Sequence, residues 1–476
     1  MNYKAVYQYI AFTAITVSLS GCGLVLKKYE QPKLSKALQE NLYRSSNDST
    51  AQDSSTMADL KWRDVFSDEK LQVLIEEGLK NNYDLKNALI NIAQAEAGFR
   101  QSKMDFFPNV NFTPQITHNK TSREALNLPP TININLRTTT VQLGFSANWE
   151  LDVWGKLASA KKAAFANYLQ LGATQRAIQT ALIANIANNY FMLMALDKQL
   201  KIAEQTVEIR KKTIKTLKTM ADAGRVTGAD VVQSEANLHA AQVLIPDLKL
   251  NIRRVENQLC MLLSKSPQAI ERSSLELQQF NIDLNSGIPL LLLKNRPDVE
   301  AAELAFRQAF EMTNVAKTQF YPTFTISAAN LGISALSTKN LFGASLFYNI
   351  VGGFAQPIFN RAVIKTNYKV SKLKQEQALN NFEKTVLSAG IEVSNALYAY
   401  ETVSEKQLSR SLQVAALEKA VSLNMKLLEF SERTTYTDVL NAEQNLLSSQ
   451  LSEVMDQLQK HGAVIELYRA LGGGWR

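Results

Sequence analysis

The run Gly224–Gln242 reads GRVTGADVVQSEANLHAAQ, and 208 residues later Glu432–Gln450 reads ERTTYTDVLNAEQNLLSSQ. Thr227 and Thr435, Asp230 and Asp438, Val231 and Val439, Glu235 and Glu443, Asn237 and Asn445, Leu238 and Leu446, and Gln242 and Gln450 keep the same places. In a chain of 476 residues, a turn-plus-helix phrase that recurs at half the length marks two copies of one unit. Such copies close one structure together, which overrides the prior of about two to four domains that length alone gives.

Each copy threads the phrase between long helical stretches. Beyond Gly155 and up to Ala221 there is no proline and one glycine, Gly172. A helix of that span is roughly 100 Å long at about 1.5 Å per residue. Ile186, Leu193, Leu200, Val207, Ile214 and Ala221 recur every seventh residue, with Leu196, Ala203 and Leu217 three places after. Val393, Tyr400, Val414, Val421 and Leu428 keep the spacing in the second copy, interrupted by Gln407. A sevenfold apolar repeat is the coiled-coil period. The basic cluster Arg210, Lys211, Lys212, Lys215 and Lys218 reads as a solvated helix face. Thr227-x-x-Asp230 and Thr435-x-x-Asp438 read as capping boxes, the carboxylate lying where a helix's first amides and its dipole favour it.

Between these helices the period changes to two. Helical stripes (Phe66, Leu71, Leu74, Ile75, Leu79, then Leu85, Leu89, Ile92, Ala93, Ala95, Phe99) end at Phe106-Phe107-Pro108, because the residue before proline is pushed out of the α region. Val110, Phe112, Pro114 and Ile116 then alternate with Asn111, Thr113, Gln115 and Thr117. Val141, Leu143, Phe145, Ala147 and Trp149 alternate likewise with polar or small neighbours, which predicts strands with one apolar face. The connection His118–Arg137 is long for a hairpin and suits an outer loop of a membrane barrel. The second copy repeats the order: a helix from Pro297 to about Gln319, Phe320-Tyr321-Pro322, then two strand-like stretches. Asn340–Phe359 is nearly charge-free, yet Gly343, Gly352, Gly353, Pro357 and the matching strand pair of the first copy favour barrel strands over a membrane helix.

The N-terminus carries Lys4, the uncharged run Ala5–Ser18, and Leu19-Ser20-Gly21-Cys22. This is a short secretory signal with small residues at the cut, and the tetrad resembles a bacterial lipobox, which implies cleavage before Cys22 and lipidation of its thiol. The alternative is an ordinary signal peptide with an incidental cysteine. Removing Lys4 takes the net charge from +8 to +7. With both signs interspersed over 20% of residues, this is a solvated surface and not a nucleic-acid footprint. Cys260, the second of two cysteines, lies in a helical pattern and reads as a buried small hydrophobe. His118, His239 and His461 are scattered, with no metal-ligand spacing, and no Walker-type phosphate loop is present. Gly472-Gly473-Gly474 reads as a helix stop and a flexible end.

Helix, two strands and a long helical hairpin, all done twice after a lipobox, resemble the TolC-type outer membrane factors, in their NodT-like lipoprotein branch. Three stretches carry the resemblance: Pro289 through Glu303 (PLLLLKNRPDVEAAE) at the junction of the copies, Trp62 through Leu74, and Leu467 through Trp475 (LYRALGGGW). It implies an α+β membrane protein, a homotrimer in which each protomer gives four strands to one 12-stranded β-barrel and its hairpins to a coiled-coil periplasmic tunnel. It also implies an exit duct for small molecules, not an enzyme, without cofactor beyond the covalent lipid on Cys22. The implied partners are a periplasmic adaptor, an RND-type inner-membrane transporter and outer membrane lipid. Relatives constrict the tunnel near the second turn, which makes Asp438, Asn441, Glu443 and Arg433 aperture candidates; Asn441 stands where many relatives carry an acid. Gly224, Arg225, Thr227, Gly228 and Asp230 of the first turn are adaptor-docking candidates. The same architecture serves protein or peptide secretion, and the heptads alone fit a lipid-anchored coiled-coil scaffold without a pore.

The expected organisation is a signal peptide over 1–21, an anchor and tether over 22–58, a first repeat over 59–267, an equatorial linker over 268–296 and a second repeat over 297–476. Strands are expected near 108–118, 139–150, 322–331 and 344–356, with hairpin tips near 222–229 and 431–437.

Overall fold

The computed structural model describes residues 26–32, 60–127, 129, 132, 134–275, 296–335, 345–430 and 435–475. Cys22, Arg433, the signal region, most of the tether and most of the equatorial linker lie outside the described residues. In chain order the elements are α1 (Trp62–Val65), α2 (Glu69–Asn81), α3 (Tyr83–Met104), β1 (Asn109–Phe112), β2 (Gln115–Lys120), β3 (Arg137–Leu151), α4 (Lys156–Asp222) and α5 (Gly228–Leu262). There follow α6 (Pro297–Thr318), β4 (Thr323–Ala335), β5 (Ser345–Phe347), β6 (Ile350–Ala355), α7 (Val363–Phe430) and α8 (Tyr436–Ala470). The long helices α4 and α7 have 67 and 68 residues, and α5 and α8 have 35 each, so the sequence repeat is a repeat of elements. No described helix is long and apolar enough to cross a membrane.

The chain divides into two compact units. Among the described residues, the first gathers 26–32, 92–170 and 302–381 and contains one antiparallel sheet. β3 and β4 lie at its centre, paired from Val141 with Ala335 to Leu151 with Phe324. β1 and β2 flank β3, and β5 and β6 flank β4. Where one strand is expected near 108–118 there are two, parted at Thr113-Pro114, because proline has no amide for the ladder. Where one is expected near 344–356, Tyr348-Asn349 separates β5 from β6. In the central pair Gly144 stands opposite Gly332, where a methyl on Gly332 would clash with the Leu143 carbonyl oxygen.

Aromatic groups gather where strands meet helices. Trp154 Nε1 donates to the Pro322 carbonyl at 2.7 Å and its ring packs 5.1 Å from Tyr321, while Trp149 Nε1 donates to the Phe106 carbonyl at 2.8 Å. In the same unit residues 26–32 lie along α6. Asn314 Nδ2 donates to the Lys27 carbonyl, Tyr29 donates to Glu303 and packs edge-on against Phe310, Arg307 covers the Tyr29 ring, and Leu26 meets Gly155.

The second unit, residues 33–91, 171–301 and 382–476, holds the main apolar core. Trp62, Phe66, Leu71 and Ile75 pack with Ile183, Ile186, Leu193, Leu259, Leu263 and Leu467. Cys260 belongs to this core as a free thiol, matching its sequence reading. Buried polar groups fix the chain that leaves α5: Tyr190 donates to Asp68 and accepts from the Ser273 amide, and Arg272 bonds Asp197 and Glu256. Burial, foremost, pushes the Tyr190 phenol up to about 12. At the head of α6, Arg296 is buried with Asp298, Glu392 and the Ala470 carbonyl as partners.

The C-terminal glycines are not a flexible end. Gly472 (φ +87°) and Gly474 (φ +100°) use the left-handed conformation, the Gly473 amide donates to the Tyr468 carbonyl, and all three are buried. The ring of Tyr468, whose hydroxyl donates to the Leu60 carbonyl, leaves no room at Gly473 for a Cβ, which would stand 2.3 Å from Cε2. Gly473→Ala should therefore lower stability by about 1–3 kcal/mol, as overpacking does. Gly228→Ala, with open space around it, should be neutral or slightly stabilising. Urea unfolding followed by circular dichroism separates the two; equal midpoints would show that the C-terminus is loose.

Candidate functional site

The two turns of the repeated phrase are the candidate site, and both lie in the second unit. The first turn closes with Gly224 at φ +73°, its amide donating to Ala221 and that of Arg225 to Met220. Thr227 then caps α5. Its amide and hydroxyl donate to one carboxylate oxygen of Asp230 at 2.9 and 2.7 Å, and the Asp230 amide donates back to the hydroxyl. The second turn repeats this: the Thr435 amide and hydroxyl donate to Asp438 at 2.9 and 2.7 Å. Both aspartates are capping groups on exposed turns, with their carboxylates at helix N-termini. Gly228 opens α5, and the exposed Arg225 guanidinium donates to the Glu429 carbonyl, linking the first tip to the end of α7.

The other aperture candidates part company. Asn441 is exposed, whereas Glu443 is buried and accepts from Thr213 at 3.4 Å. Opposite it lies Arg210, which departs from the solvated face expected for its cluster: it is 3% exposed and donates to the Asn237 carbonyl and to Gln444. Lys211, Lys212, Lys215 and Lys218 do face outward, with Lys218 paired to Glu235 at 2.9 Å. Burial pushes the Glu443 carboxyl up, and the nearby Arg210 charge opposes this; burial likewise lowers Arg210. Tyr436, bonded to Ser234 and raised by burial, completes a polar layer against the apolar tip cluster of Leu217, Met220, Leu428 and Val439. The layer ties α4 and α5 to α8, so each hairpin is held by its neighbour.

Sequence spacing carried a signal for Arg210: it falls seven residues after Ala203 and seven before Leu217, on the inner heptad positions. No comparable signal marked Tyr436. Among the described residues no cluster of His, Cys, Asp or Glu is arranged to hold a metal ion.

A family profile, outer membrane efflux protein, matches residues 74–264 and 288–473. The chain belongs to the outer membrane efflux protein family. Members of this family are transport ducts, not enzymes, and this efflux protein acts in the outer membrane. It is 28% identical over 469 residues to the toluene efflux pump outer membrane protein TtgC of Pseudomonas putida, covering 96% of this chain and 93% of that one. It is 26% identical over 468 residues to the cation efflux system protein CusC of Escherichia coli, covering 97% and 98%. The open-state MtrE outer membrane channel of Neisseria gonorrhoeae superposes with a TM-score of 0.82 at 25% identity, covering 95% of this chain and 98% of that one.

The polar layer of this efflux protein sets a pH dependence. Removing the nearby Arg210 charge leaves Glu443 buried without the cation that opposes its desolvation, which destabilises the fold. The carboxyl then titrates further above its unfolded value, so the penalty holds above the folded value and is relieved as pH falls through it. Arg210→Met should lower the melting temperature at pH 8 and recover part of the loss by pH 5, and adding Glu443→Leu should restore stability at both. A deficit independent of pH would remove Glu443 as its cause.

Proposed function

We propose that three copies of this efflux protein form one exit duct, joining four strand positions each into a 12-stranded barrel and lining a periplasmic passage with their paired hairpins. The sheet carries this reading. Its β1–β2 and β5–β6 edges are open among the described residues, and open backbone edges are not viable in lipid. Alternating exposed residues such as Val110, Phe112, Leu346, Ile350 and Phe354 suit a lipid-facing surface.

The duct supplies no energy and takes solute from a periplasmic adaptor and an inner-membrane transporter of RND type. Gly224, Arg225, Thr227, Gly228 and Asp230 present the first turn to the adaptor, and the turn at Asp438, Asn441 and Arg433 constricts the passage. Cys22, lipidated after cleavage, adds an anchor. The relatives are efflux proteins named for toluene and for cations, which share no ligand chemistry; this supports small solutes selected elsewhere in the pump. A protein- or peptide-secretion duct is the second reading, since the architecture does not distinguish cargo.

Purified protein in a planar bilayer should conduct with cation preference, and Asp438→Asn should lose part of that preference while retaining conductance. Unchanged selectivity removes Asp438 from the aperture, and absence of conductance with an intact trimer returns the chain to a scaffold. A deletion strain should gain sensitivity to dyes, detergents, antibiotics or metal ions. Loss of an exported protein with unchanged sensitivity would mark secretion.

A further inference from the structure

The junction between the two copies inside one chain is a template for a junction that the chain cannot make with itself. At the internal junction, β3 of the first copy pairs with β4 of the second. The connection that follows β3 carries Val153-Trp154, and Trp154 covers the turn just before β4: its ring packs on Tyr321, 5.1 Å away, and on Phe324, 6.3 Å away, and its indole donates to the Pro322 carbonyl.

Both halves of this contact recur at the outer edges of the sheet, unjoined. The connection after β6 carries Ile358-Phe359, 100% and 87% exposed. The turn before β1 carries Phe107-Pro108, the counterpart of Tyr321-Pro322 in the parallel phrases Phe106-Phe107-Pro108 and Phe320-Tyr321-Pro322, and Phe107 is 65% exposed. Val110, counterpart of Phe324, is 58% exposed. The aromatic connection and the aromatic–proline turn thus face outward on opposite edges of one sheet, as a knob and its seat.

We propose that Ile358-Phe359 of one protomer seats on the Phe107-Pro108 turn and Val110 of a second copy of this chain, forming an aromatic latch at each subunit seam where strands meet helices. The proposal rests on the assembly described under Proposed function and adds the residues that hold the seam. Side chains exposed to this degree gain most from burial when β6 and β1 of neighbouring copies pair. Phenylalanine has no counterpart of the indole N–H that reaches Pro322, so the seam between subunits depends on apolar packing where the seam within the chain has a hydrogen bond as well.

The test is cross-linking in outer membranes of cells making the full chain with Cys22 retained and Cys260→Ala. Phe107→Cys combined with Phe359→Cys, treated with a mild oxidant or a short bis-maleimide, should give covalent dimers and trimers on denaturing gels, and neither single substitution should. Trp154→Cys with Tyr321→Cys provides the internal reference, since it should link within one chain and set the yield that counts as contact. A double variant that stays monomeric on denaturing gels, while amine cross-linking of the same membranes still gives trimers, overturns the latch and leaves the trimer standing; Phe359 then faces lipid. If amine cross-linking gives no trimer either, the assembly reading falls and the latch with it.

Discussion

A strand edge in lipid has no water to satisfy its amides and carbonyls, and this constraint orders the rest of the fold. β3 and β4 satisfy each other within the chain, but among the described residues β1–β2 and β5–β6 are left with outer edges to be completed elsewhere. The internal repeat makes such completion economical in design: the geometry that joins copy to copy inside one chain serves again between chains. Gly144 against Gly332 shows how closely the solved junction packs, since a single methyl there would meet backbone.

Helices extend the same logic outside the membrane. α4 and α7, of 67 and 68 residues, draw most of their stability from packing and not from propensity, each held by apolar contacts to its shorter partner and to the neighbouring hairpin. Near the tips the packing turns polar at Arg210, Glu443 and Tyr436. Opposite charges buried near one another add little net stability over an apolar core, but they penalise any arrangement that separates them. The two turns share capping boxes and differ in what flanks them: Lys218 pairs with Glu235 in solvent, whereas the equivalent Glu443 is sequestered.

The sequence made the repeat, the coiled-coil period and the switch from helix to strand legible, because each is a periodicity that a single chain displays. It did not show where a strand would part, since Pro114 and the Tyr348-Asn349 break act through ladder geometry that alternation does not encode. Arg210 was legible by position but not by residue type, which favoured solvent. The C-terminal glycines misled for a related reason: composition suggests freedom, whereas Tyr468 turns the same lack of side chains into a close fit. At the tips, the capping role of Asp230 and Asp438 was readable from spacing alone, while the burial of Glu443 needed the third dimension.

The short segment lying along α6 gives the N-terminus a measured reach. Leu26 rests against Gly155, one residue from Trp154 in the aromatic zone. Cys22 stands four residues earlier, and an extended chain covers at most about 3.6 Å per residue. On the proposal that Cys22 is lipidated, its lipid is leashed within about 14 Å of Leu26, short enough to raise the local concentration of the nearby strands at a bilayer surface. On that proposal the short run from Cys22 to Leu26 acts as a ruler, converting a weak and general attraction for lipid into a fixed starting height for insertion.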